Sequence, residues 1–220
     1  MTHRIITLDG PAGSGKSTVA REVARRLNYT FLDTGALYRS AAVAVEAAGC
    51  DVHDEQKCAS VLEKTAINIA GEKTFLNGRD VSEEIRSQHI SELASSLAVH
   101  PSVRKVLLVI QRSFKGNTSL VAEGRDTGTV VFPDADLKFY LDAAPEERAR
   151  RRQREFKGKG SDISMGQVLD DLKNRDRRDS TRATSPLAKA QDAIVVDTTH
   201  LKFEEVVEKI LSLIQERLTD

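Results

Sequence analysis

The sequence predicts an α/β fold with a mostly parallel sheet, and three observations carry that prediction. Short apolar strands alternate with stretches of helical periodicity. A glycine-rich segment joins the first strand to the first helix. No apolar run approaches the roughly 18 residues that argue a membrane-spanning helix.

The elements follow in order. Strands are expected at 4–8, 30–32, 119–122, 137–141 and 193–196, with helices between and after them. Over 18–27, Val19, Val23 and Leu27 fall at four-residue steps on one helix face. Segment 52–90 breaks the alternation. In it Ile67 and Ile69 alternate with polar residues, and Asn77-Gly78 is a turn signal, so a small antiparallel insertion is expected. Pro145 suits a first helical position, and Glu146 and Glu147 suit a helix's positive end. The tip Lys157-Gly158-Lys159-Gly160 reads as a mobile loop. On a helix over 165–182, Val168 and Leu172 share a face that continues to Arg175, Asp179 and Arg182. Over 203–218, Phe203, Val207, Ile210, Ile214 and Leu218 form one apolar stripe.

Composition bounds the function. The 220 residues hold 33 basic and 33 acidic side chains and are 40% hydrophobic, which fits one domain or one core carrying insertions and excludes a disordered chain. A net charge of zero argues against general nucleic-acid coating, though not against a local basic cleft. Cys50 and Cys58 have no partners at metal-ligand spacing and read as two inert thiols of a reducing compartment. The opening MTHRIITLDG carries only a short apolar stretch before Gly10-Pro11 and is not read as a secretory signal, so a cytoplasmic location is expected.

Gly10-Pro11-Ala12-Gly13-Ser14-Gly15-Lys16-Ser17 matches the phosphate-loop pattern in full, between a strand and a helix. Glycines let main-chain N–H groups curl around an anion, and the helix N-terminus adds partial positive charge there. Lys16 can then bridge β- and γ-phosphates, and the Ser17 hydroxyl can ligate Mg²⁺. The chain has no Asn-Lys-x-Asp motif of the kind that reads a guanine base. Strand 119–122 runs into Glu123-Gly124-Arg125-Asp126, not into paired acids, and an arginine there suggests a second anion beside the first. A surface loop with a salt bridge is the alternative.

Other basic groups point the same way. The charged end of the 165–182 stripe suggests an anion-binding cleft or, alternatively, a solvated helix end; Asp176, Arg177 and Arg178 read as solvent- or lid-facing. Arg148, Arg150, Arg151, Arg152 and Arg154 crowd one segment, with Arg148 and Arg152 on one face. A basic flap over ATP, a plain interaction helix and a nucleic-acid surface all remain open for it. Thr34 and Arg39, after the second strand, could hold an acceptor's phosphate, or Asp33 or Thr34 could simply cap a helix. Tyr38 reads as packing.

Together the phosphate loop, Leu32-Asp33-Thr34-Gly35-Ala36-Leu37-Tyr38-Arg39, the run from Glu123 to Pro133 and Arg175-Asp176-Arg177-Arg178-Asp179-Ser180-Thr181-Arg182 resemble bacterial cytidylate (CMP) kinases. The resemblance implies a three-layer P-loop fold with a five-stranded parallel sheet of order 2-3-1-4-5, a monophosphate-binding insertion with a small antiparallel sheet, and a short lid. It implies a core of 1–35, 101–144 and 163–220, an insertion of 36–100 and a lid of 145–162. The implied reaction is reversible phosphorylation of CMP, and of dCMP, by ATP with Mg²⁺, within pyrimidine nucleotide metabolism. Gly10, Pro11, Ala12, Gly13, Ser14, Gly15, Lys16, Ser17 and Thr18 would bind ATP, with Arg148 on adenine and Arg152 at the phosphates. Arg39, Arg125 and Arg182 would hold the CMP phosphate; Ser95, Arg104 and Asp126 would read cytosine; Arg175 and Asp179 would meet the ribose. Thr34 stands where the family more often has Ser, keeping the hydroxyl. Lys16, Arg39, Arg125, Arg152 and Arg182 would be catalytic. The expected partners are the two nucleotides, with no nucleic acid, no membrane and a monomeric chain. A kinase for another small acceptor, such as UMP or shikimate, and an ATP-dependent nucleic-acid module are the rivals.

Overall fold

The structure is a computed structural model and describes residues 3–70, 73–116, 118–158 and 160–218. Two compact units result: unit 1 is Met1–Phe31, Asn117–Thr181 and Ser185–Asp220, and unit 2 is Leu32–Gly116 with Arg182–Thr184.

Unit 1 is built on strands β1 (Ile5–Asp9), β2 (Thr30–Asp33), β3 (Leu120–Gly124), β4 (Leu137–Asp142) and β5 (Ile194–Asp197), and the division of units runs through β2. The sheet order is β2-β3-β1-β4-β5, which in chain order is the expected 2-3-1-4-5. The pairs β1–β3, β1–β4 and β4–β5 run parallel, with Ile6 opposite Val121 and Leu137. Strands β1 and β3 are buried along their whole length, as parallel strands covered on both faces must be.

Helices α1 (Lys16–Leu27), α2 (Pro145–Gly158), α3 (Met165–Thr181) and α4 (Phe203–Leu218) complete the unit. Val19, Ala20 and Val23 of α1 join Ile6, Leu8, Val121, Phe139 and Leu141 of the sheet and Val207, Ile210 and Ile214 of α4 in one core. The helix thus begins three residues before the first member of its apolar stripe, Val19, because Gly15 in a left-handed conformation starts it directly from the loop. A smaller core joins Ala12 to Ala149, Phe156, Val168 and Leu172, so the loop packs on α2 and α3. Helix α2 runs through Gly158, further than the loop expected at the Lys157–Gly160 tip, and Lys159 lies outside the described residues.

Unit 2 holds helices α5 (Thr34–Ala47), α6 (Glu55–Glu63), α7 (Gln88–Leu97) and α8 (Pro101–Ser113), here numbered after those of unit 1. Its strands β6 (Ile67–Ala70), β7 (Lys73–Leu76) and β8 (Arg79–Asp80) form the expected antiparallel sheet, with Asn77 and Gly78 at positive φ in the turn. Helix α6 was not expected inside that insertion. It is capped by Asp54, which accepts from the Lys57 N–H, and buries Cys58, Ala59 and Leu62. Helix α8 also belongs to unit 2, because it packs on α5 and α6, whereas the sequence division set 101–116 with the core. The Cys50 and Cys58 sulfurs are free and lie 3.8 Å apart. Burial pushes the Cys58 thiol up to about 12, in keeping with an inert group. No single helix among the described residues is long and apolar enough to cross a membrane.

Candidate active site

In unit 1 the phosphate loop turns from the end of β1 into α1. Gly10 takes φ +154°, and a side chain there would stand 2.1 Å from the Leu141 carbonyl oxygen. Gly13 takes φ +77°, with Arg148 Cβ 3.1 Å from where its own Cβ would be. Both positions therefore require glycine for space as well as for conformation.

Lys16 is buried, and its Nζ donates to the Pro11 carbonyl oxygen at 3.0 Å. Burial first, then the Arg125 and Arg175 charges, pull its ammonium down to about 7, against the attraction of Glu123 and Asp179. Three cations thus share one region of the unit, the arrangement expected of a pocket for a polyanion. Arg125 is itself mostly buried. Burial works against its charge, but Asp179 and Glu123 more than offset that and hold the guanidinium above its ordinary value. Arg125 Nε donates to Asp179 Oδ2 at 2.9 Å, tying the end of β3 to α3. The charged stripe of α3 therefore meets a counter-ion, and the Arg125 loop is not a mere surface loop.

Beneath the Arg125-Asp126 turn lies Asp9. Its Oδ1 accepts from the Thr127 N–H and hydroxyl, at 2.9 and 2.7 Å, and its Oδ2 accepts from the Gly128 N–H at 2.8 Å. Burial pushes its carboxyl up, against the pull of those hydrogen bonds. The three bonds fix a single π-helical turn at Thr127–Val131 and hold buried Asp126 at its start.

Ser17 Oγ donates to Glu123 Oε1 at 2.8 Å. Sequence reasoning noted Glu123 but gave it no role. The two groups are hard oxygen donors of the kind Mg²⁺ prefers, so they fit a magnesium ion delivered with a nucleotide. Among the described residues no three His, Cys, Asp or Glu are grouped to hold a metal by themselves.

The arginines of α2 separate. Arg148 is buried, its Nε donating to Ala143 O and its Nη1 to Ala12 O, both at 3.0 Å. Arg151 also reaches the loop, donating to Ser14 O at 3.3 Å and to the Thr198 hydroxyl at 3.0 Å. Arg152 instead pairs with Glu155 at 2.7 Å and lies over the Phe156 ring. Asp176, read from sequence as solvent- or lid-facing, turns to the loop and accepts from the Ala12 N–H and from Arg148.

Thr34, Arg39, Ser95, Arg104 and Arg182 belong to unit 2, whereas Arg125, Asp126, Arg175 and Asp179 belong to unit 1. Asp33 both caps α5, accepting from the Ala36 N–H, and pairs with Arg39 at 3.0 Å. Thr34 is buried at the first turn of that helix. Arg104 lies over the Tyr38 ring, 5.4 Å from its centroid, so Tyr38 packs as expected. Ser95 Oγ is buried with no hydrogen-bond partner among the described residues, whereas the neighbouring Ser96 hydroxyl donates to Glu92 O. An unmatched buried hydroxyl costs about 1–3 kcal/mol, which a ligand would relieve.

The sheet order, the loop and its buried lysine define a P-loop phosphotransferase. Comparison with known proteins agrees. A family model described as Cytidylate kinase matches residues 6–216. A cytidylate kinase of Carboxydothermus hydrogenoformans is 49% identical over 213 residues, covering 95% of this chain and 96% of its own. One of Caldanaerobacter subterraneus subsp. tengcongensis is 47% identical over 210 residues, covering 96% and 94%. A gluconokinase structure from Sinorhizobium meliloti 1021 superposes with a TM-score of 0.52 at 14% identity, over 98% of this chain and 94% of its own, a likeness of fold alone. The chain belongs to the cytidylate kinase family, and it phosphorylates nucleoside monophosphates.

Proposed function

We propose that the chain catalyses ATP + CMP ⇌ ADP + CDP, accepts dCMP as well, and uses Mg²⁺. The observation that carries this reading is the gathering of Lys16, Arg125 and Arg175 beside a glycine loop, with the Lys16 charge disfavoured until an anion arrives. The loop and Lys16 take the ATP phosphates. Residues 36–100 form the monophosphate-binding insertion and contribute Arg39 and Ser95, and 145–162 act as the lid. Arg39, Arg125 and Arg182 hold the CMP phosphate, Thr34 supports it, and Arg175 and Asp179 meet the ribose. Arg148, already bonded to Ala12 O, presents its plane to adenine, and Arg152 leaves Glu155 for the ATP phosphates.

The acceptor oxygen is ionised near neutral pH, so no general base is needed. Catalysis is positioning and neutralisation of charge along the in-line path. Ser17 and Glu123 would hold the magnesium ion that ATP brings, which would supply positive charge beside the phosphates. Ser95, Arg104 and Asp126 face the base. A carboxylate accepts from cytosine's exocyclic amine, whereas uracil puts a carbonyl there. Asp126→Ala is expected to narrow the CMP-over-UMP preference in kcat/KM by roughly tenfold or more, the effect of about 1–3 kcal/mol of mismatch removed. Proportional loss on both substrates would argue that Asp126 does not read the base.

Lys16 also gives a proton signature. A bound phosphate raises its proton affinity from about 7, so above that pH the free protein has lost a proton that the complex retains. Binding then takes up protons, and ATP affinity falls as pH rises. Calorimetric titration with ATP at about pH 8, in buffers of different ionisation enthalpy, should register this uptake. No dependence on buffer would exclude a titrating Lys16. The reaction itself is tested by an acceptor panel with coupled ADP detection. CMP and dCMP should lead and UMP should trail; preference for UMP or shikimate would replace the reading.

A further inference from the structure

The Pro11–Ala12 peptide is held from both ends. Its carbonyl oxygen accepts from Lys16 Nζ at 3.0 Å, and its N–H donates to Asp176 Oδ1 at 3.2 Å. A trans peptide points these two groups in opposite directions, so fixing one fixes the other. The second Asp176 oxygen accepts from Arg148 Nη1 at 2.5 Å, and the same Nη1 donates onward to Ala12 O at 3.0 Å. Ala12 therefore has both of its main-chain polar groups tied to two side chains that are tied to each other. The circuit is largely shielded from water: the Arg148 side chain is 8% exposed and that of Asp176 21%.

We propose that Asp176 is a positioning residue for ATP, setting through the Pro11–Ala12 peptide the place of the Lys16 ammonium and, through Arg148, the bend of the phosphate loop. The inference rests on the reading of ATP as donor. Asp176 touches neither substrate in this account. It acts by denying the peptide an alternative orientation in which Pro11 O would turn away from Lys16. Helix α3 thus serves both nucleotides: Asp176 steadies the donor's loop, and one turn on, Asp179 steadies Arg125.

The test is steady-state kinetics of Asp176→Ala and Asp176→Asn, with ATP and CMP varied separately. Asp176→Ala should raise the KM for ATP about tenfold and lower kcat several-fold, the scale of one lost buried hydrogen bond at a positioned loop, with the KM for CMP changed less than about twofold. Asp176→Asn keeps an oxygen for the Ala12 N–H and loses the charge facing Arg148, so it should fall between alanine and the parent. Arg178→Ala, an exposed neighbour on the same helix, should match the parent. An unchanged KM for ATP overturns the proposal. So does a parallel rise in both KM values, which is what general loosening of α3 would cause through Arg175 and Asp179. If the alanine variant does not fold, Asp176→Asn reads the same split. Absence of transfer from ATP to CMP in the parent would overturn the proposed reaction instead, and direct calorimetric titration of parent and Asp176→Asn with ATP would still decide the role of Asp176.

Discussion

Lys16→Ala should lower kcat by about 10²–10³-fold or more, the scale seen when one preorganised donor to developing charge is removed. The fold should survive. Lys16 is buried, and its charged form is opposed by burial and by two arginines. On balance the charge costs the nucleotide-free protein stability, although Nζ donates to Pro11 O and Glu123 and Asp179 attract it. The unfolded chain holds the proton more tightly than the folded one between about pH 7 and the ordinary lysine value, so stability from this group rises with pH across that window. Alanine removes that penalty at neutral pH, at the expense of some packing around the lysine stem. Circular dichroism should show an unchanged spectrum and a Tm close to the parent's. Loss of structure together with activity would mean that Lys16 holds the loop up, not the phosphates; near-normal turnover would remove its catalytic role.

Arg125→Leu should cost both activity and stability. The guanidinium lies 2.9 Å from Asp179, whose side chain is only 7% exposed. Removing the arginine takes away the guanidinium paired with a buried carboxylate, and breaking such a pair costs about 3–5 kcal/mol. It also removes a proposed ligand of the CMP phosphate, so kcat/KM for CMP should fall by about 10²-fold or more. A second substitution separates the two effects. Adding Asp179→Asn removes the opposing charge of the broken pair and should restore most of the denaturation midpoint, while turnover stays low. Recovery of turnover along with stability would show that Arg125 has only a structural task. Urea unfolding and steady-state kinetics on the same three proteins give both readouts.

Much of this architecture is legible in the sequence. The loop motif is local and complete, and the strand and helix patterns that flank it are those that the sheet and α1 adopt. The apolar stripe of α3, running into Arg175 and Asp179, located a charged face correctly, because helical spacing fixes which side chains share a side. What spacing does not convey is the partner across the fold. Asp176 meets Ala12 across 164 positions, and Glu123 meets Ser17 across 106. Neither contact carries a local signal, so both emerge only in the folded chain. Arg148 and Arg152 show the same limit: the periodicity puts them on one face, but Arg148 sinks against Gly13, where no side chain stands in its way, and Arg152 stays over Phe156. Helix α6 escaped notice because nine residues with three buried side chains offer too short a period to stand out beside the strand pattern that follows.

The central claim is direct handover of a phosphoryl group between two bound nucleotides, with water kept out. Its most direct measurement follows label from [γ-³²P]ATP with and without CMP. The account predicts label on the β-phosphate of CDP, one CDP for each ADP, and little free phosphate when CMP is absent. Label released as free phosphate at the same rate without CMP would contradict it.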